Sequence, residues 1–182
     1  MSARNWTLTG IIAMGLMLAI ALPGEAGDKG KKIELPKAAA DAISAAYPGA
    51  KIDEIELDDE DGVKLYEVEL KLKGEEIEVS VSADGVIFEI ETEITVPALP
   101  KAVADALAKV AKGGKITEVE KEEERAEVKD GKIVTLKTPI VTYSAEIRTK
   151  DGKIEVEFAE DGKVLEIEKK GAKHDDDDDD DD

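Results

Sequence analysis

The chain says one thing twice, and that duplication limits its fold more than any other feature. Leu35-Pro36-Lys37-Ala38 returns as Leu99-Pro100-Lys101-Ala102, and the stretch YEVELKLKGEEIEVSVSADGVIFEIE from Tyr66 returns from Tyr143 as YSAEIRTKDGKIEVEFAEDGKVLEIE. Eleven of the 26 positions in that second block are identical without a gap, more than shared strand composition produces, so a repeated structural unit is expected.

Each copy opens with a helical pattern. Leu35, Ala39, Ala42, Ile43 and Ala46 fall on one stripe, as do Leu99, Val103, Ala106, Leu107 and Val110, with Pro36 and Pro100 at the starts and Pro48-Gly49 and Gly113-Gly114 at the stops. The period then changes to two. Tyr66, Val68, Leu70 and Leu72 alternate with charged residues, followed by Ile77, Val79 and Val81 and then Phe88 and Ile90. In the second copy the series is Tyr143, Ala145 and Ile147, then Ile154, Val156 and Phe158, then Leu165 and Ile167. Asp61-Gly62, Lys73-Gly74, Asp84-Gly85, Asp130-Gly131, Asp151-Gly152 and Asp161-Gly162 punctuate the runs as hairpin turns do. The expected fold is α+β: two tandem units, residues 33–96 and 97–170, each one helix packed on an antiparallel meander of three to four strands, abutting into one sheet. One sheet face is apolar and takes the helices.

The copies differ in length at one place. The offset between them grows from 64 residues at Leu35 to 77 at Tyr66, so about 13 residues are added in the second copy around Glu120 to Pro139. Placed across a hairpin tip, they lengthen both arms without disturbing the inward–outward register, which predicts a protruding β-arm. Its tip, EEERAEVKDGK, suits solvent, while Ile133, Val134 and Leu136 require partners. The join ETEITVPALPK is short, stiffened by Pro97 and Pro100, and argues against two independently tumbling domains.

Both ends read differently from the body. Arg4, the apolar run Thr7 to Leu22 and the small residues near Gly24-Glu25-Ala26 form an export-signal pattern over residues 1–26. The alternative, an uncleaved membrane anchor, is disfavoured by the shortness of the run. Cleavage leaves no stable membrane anchor and places the protein in the periplasm or outside the cell. Cysteine is absent, so packing alone must hold the fold. Residues 171–182, ending in eight aspartates, form a tail with nothing to bury, expected to be disordered.

The formal charge is −19, and −11 remains when the terminal aspartates are set aside. Such a field repels nucleic acid and favours cations or a basic protein. Glu67, Glu69, Glu76, Glu78, Glu89 and Glu91, with Glu146, Glu155, Glu157, Glu166 and Glu168 in the second copy, alternate with the apolar positions and should face away from the helices. Lys71, Arg148, Lys153 and Lys169 offer partial relief. This reads either as a solvated, solubilising face or as a carboxylate array for a cationic partner.

The helix start, the tyrosine-proline-glycine stop in LPKAAADAISAAYPGAKIDEIE and the closing strands DGVIFEIE and DGKVLEIE resemble the PepSY and PepSY-like domains of exported bacterial proteins. Two such units in tandem resemble the β-lactamase-inhibitor-like arrangement, over essentially Ile33 to Glu168. The resemblance implies an exported, non-catalytic module; some relatives are associated with peptidase propeptides and suspected of restraining peptidases, and many have no assigned role. No protease motif follows the repeats here: the chain has no HExxH, no G-x-S-x-G and one histidine.

Catalysis has little to work with. His174 lies in the tail and no thiol exists, so no nucleophile–base pair can be assembled on the folded body. No catalytic residue and no cofactor are expected. The one metal reading is weak Ca²⁺ binding by Asp175, Asp176, Asp177, Asp178, Asp179, Asp180, Asp181 and Asp182, which supply oxygens but not the turned loop of a tight site. The functional expectation is an unknown protein partner, basic in character, met through the sheet face or the β-arm. The alternative is cation handling or surface adhesion by the glutamate face and the tail.

Overall fold

Every Gly-containing turn signal read from the sequence sits at a chain reversal in the computed structural model, which describes residues 33–171. At Asp61-Gly62, Lys73-Gly74 and Asp130-Gly131 both residues take positive φ, the geometry that lets a two-residue turn follow the twist of its strands. The order is α1 (Lys37–Ala46), β1 (Lys51–Glu60), β2 (Val63–Leu72), β3 (Glu75–Ser82), β4 (Ile87–Glu93), a single 3-10 turn (Val96–Ala98), α2 (Lys101–Ala111), β5 (Lys115–Lys129), β6 (Lys132–Thr149), β7 (Gly152–Ala159) and β8 (Val164–Gly171). The eight strands form one antiparallel sheet in chain order, β1 through β8. With two helices against it, the architecture is α+β.

Both helices lie on the same face. Ala39 and Ile43 of α1 join Val68, Leu70, Ile77, Val79, Val81 and Ile90 in one core. Leu99, Val103, Leu107 and Ala111, in and just before α2, join Val119, Tyr143, Ala145, Ile147, Val156 and Phe158 in another. The small residues on each stripe let the helix settle close to the sheet. Gly85 shows how close: a Cβ there would lie 2.6 Å from the carbonyl oxygen of Ala38, and Gly162 meets the carbonyl of Ala102 in the same way. Both glycines also have positive φ, so neither the space nor the backbone suits a side chain.

The helix side of β5 separates the two cores with a charged ladder. Glu123 accepts hydrogen bonds from Lys121 at 2.5 Å and from Arg125 at 3.1 Å, and its carboxyl is held below the usual range chiefly by the Lys121 bond.

The strand register corrects two expectations. Phe88 and Ile90 should share a face by strict alternation. A bulge between Ser80 and Val81 in the β3–β4 pairing leaves Phe88 unopposed and turns it to the far side, where it is buried with Leu65 and Ala126. The β5–β6 arm is long, as the inserted residues require, yet it does not project as a free polar finger. A further bulge between Glu124 and Ala126 bends it, and Val128 and Ile133 pack with Val63 and Val86 around that third cluster. The apolar residues of the arm override its polar tip because they find Leu65 and Phe88 within reach. Val134 stays exposed.

A carboxylate face on the open side of the sheet

Helices cover one face of the sheet, and the other is built mainly from glutamates. Register fixes them in rows. Glu54, Glu69, Glu78, Glu91 and Glu122 stand directly opposite one another on β1 through β5, at the strand spacing of about 4.8 Å. Glu56, Glu67, Ser80, Glu89 and Glu124 form the next row toward the arm. On the other side run Glu93, Glu120, Ser144, Glu157 and Glu166. Antiparallel strands normally oppose unlike charges, since like pairs repel by up to about 1 kcal/mol.

These side chains are not the freely solvated array that alternation suggests. Glu67, Glu69, Glu78, Glu89 and Glu91 are half-buried and Glu157 is only 6% exposed. No second layer covers them among the described residues. Bulges in four of the seven strand pairings increase local twist, the arm's apolar cluster closes one end, and the long side chains crowd over each other. Partial burial and mutual repulsion both disfavour ionisation. Desolvation, reinforced by neighbouring glutamates, pushes Glu78 up to about 7, Glu89 to about 8 and Glu91 to about 9. Glu120 rises to about 7 by the same causes, with the Ser144 hydroxyl, 3.3 Å away, pulling it back slightly. Glu67 keeps one buried oxygen, Oε1, without a hydrogen-bond partner.

The second half of the face is answered by cations. Lys115, Arg148, Lys153 and Lys170 stand opposite one another across β5 to β8, beside the row Glu118, Glu146, Glu155 and Glu168. Lys153 pairs with Glu146 and reaches Glu155 at 3.4 Å, and Lys170 lies 3.0 Å from Glu155. Burial pushes Glu146 up, but hydrogen bonds from Lys153 and from Thr117 (2.8 Å) and the charges of Lys153 and Arg148 outweigh it, so its carboxyl sits below the ordinary value. Lys169, read from the sequence as a relieving charge, pairs with Ile154 and belongs to the helix side. Lys170 takes that role.

Sequence reading found the glutamates of the repeated block and missed Glu118, Glu120, Glu122 and Glu124, which lie where the second copy departs from the first. Their own period of two, in TEVEKEEE, carries the signal. The aspartates Asp175 to Asp182, His174 and the export-signal pattern lie outside the described residues. Among the described residues no group of three or more histidine or acidic side chains is arranged to hold a metal ion, and no helix is long and apolar enough to cross a membrane.

Comparison with known families and structures agrees with this architecture. Residues 36–90 match the family described as peptidase propeptide and YPEB domain, PepSY. Residues 73–138 match the beta-lactamase-inhibitor-like, PepSY-like family. The two matches overlap at residues 73–90, and the second runs from β3 through α2 into the β5–β6 arm. A BLIP-like protein from Bacteroides fragilis is similar in structure, with a TM-score of 0.56 at 21% identity over 79% of this chain and 92% of that one. A DUF2874 family protein from Bacteroides uniformis gives 0.56 at 17% identity, over 74% of this chain and 88% of the other. At these identities the likeness is one of fold. No curated protein matches the chain.

Proposed function

We propose that this PepSY-like chain is an exported, non-catalytic binding module that meets a basic protein partner on the open face of its sheet. In this reading residues 33–96 and 97–170 are two copies of one unit, a helix on four strands, joined edge to edge between β4 and β5. The observation that carries the proposal is the row Glu54–Glu69–Glu78–Glu91–Glu122. Crowding five carboxylates on adjacent strands costs stability in the isolated protein, and lysine or arginine side chains from a partner would supply the missing countercharge. The BLIP-like and peptidase-propeptide relatives support a restraining role toward an envelope enzyme, a peptidase being the first candidate.

The test compares capture of envelope proteins by the wild-type chain and by Glu78→Gln/Glu91→Gln, which keeps the shape at the centre of the row and removes its capacity to ionise against a partner's cations. The expected result is a basic partner bound at low salt and weakened at least tenfold by the double substitution. A partner bound equally by both chains would overturn the assignment of the face. Weak Ca²⁺ binding by the Asp tail is a separate proposal. Calorimetric titration of full-length and tail-deleted chains tests it, and heat in neither removes it.

A further inference from the structure

The joint between β4 and β5 has two uncovered counterparts at the margins of the sheet. β8 repeats β4: it lies on β7 in the register that β4 takes on β3, down to the same bulge, between Glu157 and Phe158 in one pairing and Ser80 and Val81 in the other. β1 repeats the first part of β5, opposing β2 as β5 opposes β6, with equivalent bulges after Ile52 and Ile116. β4 and β5 cover each other, whereas neither β8 nor β1 has a strand on its outer side among the described residues. Such an edge leaves a row of backbone N–H and C=O groups able to pair with another chain. The apolar residues register the difference. Ile90 on β4 is 3% exposed and its equivalent on β8, Ile167, is 45% exposed, while Ile52 and Leu57 on β1 are 47% and 48% exposed.

We propose that β8 of one copy of this chain pairs with β1 of a second copy, reproducing between molecules the joint that β4 and β5 make within one. Carried over residue by residue, the β4–β5 register sets Glu166, Ile167, Glu168, Lys169 and Lys170 opposite the second copy's Glu60, Asp59, Asp58, Leu57 and Glu56. Ile167 then lies diagonal to Leu57, within reach for long side chains, and the stem of Lys169 covers Leu57 from directly opposite. Charge does not carry this pairing. Lys170 already lies 3.0 Å from Glu155 of its own chain, and Glu166–Glu60 and Glu168–Asp58 are like-charged. The joint inside the chain holds three such pairs, Glu89–Glu124, Glu91–Glu122 and Glu93–Glu120, so the geometry accommodates them. Separate molecules lack the covalent link that helps there, and salt must screen the repulsion between two acidic chains. Because the two edges differ, the contact is heterologous, and each added copy presents a fresh edge. The inference rests on the repeated strand register and stands whether or not the glutamate face meets a basic protein.

Sedimentation of the full-length chain at about 0.5 M salt, where the Debye length falls to roughly 4 Å, should show species that grow past the dimer with concentration. Leu57→Lys places a cation opposite Lys169 of the neighbouring copy at an exposed position, and should weaken association at least tenfold with Tm unchanged. Because the chain contains no cysteine, Lys169→Cys and Leu57→Cys chains can be mixed under mild oxidation, and the mixed disulfide should exceed either homodimer at least fivefold. A monomer at every concentration, association that Leu57→Lys leaves intact, or an excess of Lys169→Cys homodimers, as a two-fold pairing of β8 with itself would give, overturns the proposal.

Discussion

Glu69 and Glu146 occupy the same position in the two copies, yet their carboxyls are driven in opposite directions. Glu69 lies above its usual value because burial and the charges of Glu54, Asp53 and Glu76 outweigh Lys71. Glu146 lies below because Lys153 stands where the first copy has Glu76. Fold and strand position are held constant across the pair, so the difference comes from two neighbours: Lys153 in place of Glu76, and Thr117, which donates a hydrogen bond, in place of Asp53. The duplication preserved the apolar side of the sheet, and the open side diverged in sign.

Substitution of the two turn glycines tests the shared half of this comparison and should have the largest effect. Gly85→Ala and Gly162→Ala each place a Cβ against a helix carbonyl at positive φ and are expected to cost about 2–4 kcal/mol, by a similar amount in both copies under chemical denaturation. A large loss at one site alone would mean that the two helices are seated differently.

The diverged half is probed by pH. Glu78, Glu89, Glu91 and Glu120 have folded-state values of about 7, 8, 9 and 7, whereas an unfolded glutamate titrates near about 4.3. The folded chain thus holds extra protons between these limits, and stability falls as pH rises from about 5 to 9. A loss on the order of a few kcal/mol corresponds to about 5–10 °C in Tm. Glu146 and Glu123, lowered on folding, work the other way and lose stability below about pH 4. Scanning calorimetry should show a maximum near pH 5, and Glu91→Gln should flatten the alkaline side.

Exchanging residues between copies gives smaller, sharper effects. Lys153→Glu removes the ion pairs with Glu146 and Glu155 and should cost about 1–2 kcal/mol at pH 7. The reverse change, Glu76→Lys, should stabilise the protein by about 0.5 kcal/mol at pH 8, since it adds a cation at a more exposed place. Opposite signs in urea melts are the expected outcome.

Much of the scaffold was legible. Period-two alternation, Asp-Gly turns and the alanine-rich stripes located strands, reversals and helices because each signal is local. The length of the β5–β6 arm was legible; the side taken by Phe88 and the bend of the arm were not, because both are set by bulges, which depend on how two strands pair and leave no mark in one strand's alternation. The glutamate face was legible in direction but not in electrostatics. Which carboxylates are opposed by cations follows from cross-strand register, as Glu76 and Lys153 show, and sequence proximity does not provide it.

Site-resolved carbon-13 titration of the Glu69 and Glu146 side-chain carboxyls, with Glu91 as a third reporter, reads the opposed environments of the two copies one carboxyl at a time. Glu69 is expected above and Glu146 below the usual glutamate value, with Glu91 half-titrated near pH 9. Three carboxyls titrating together near about 4.3 would contradict this.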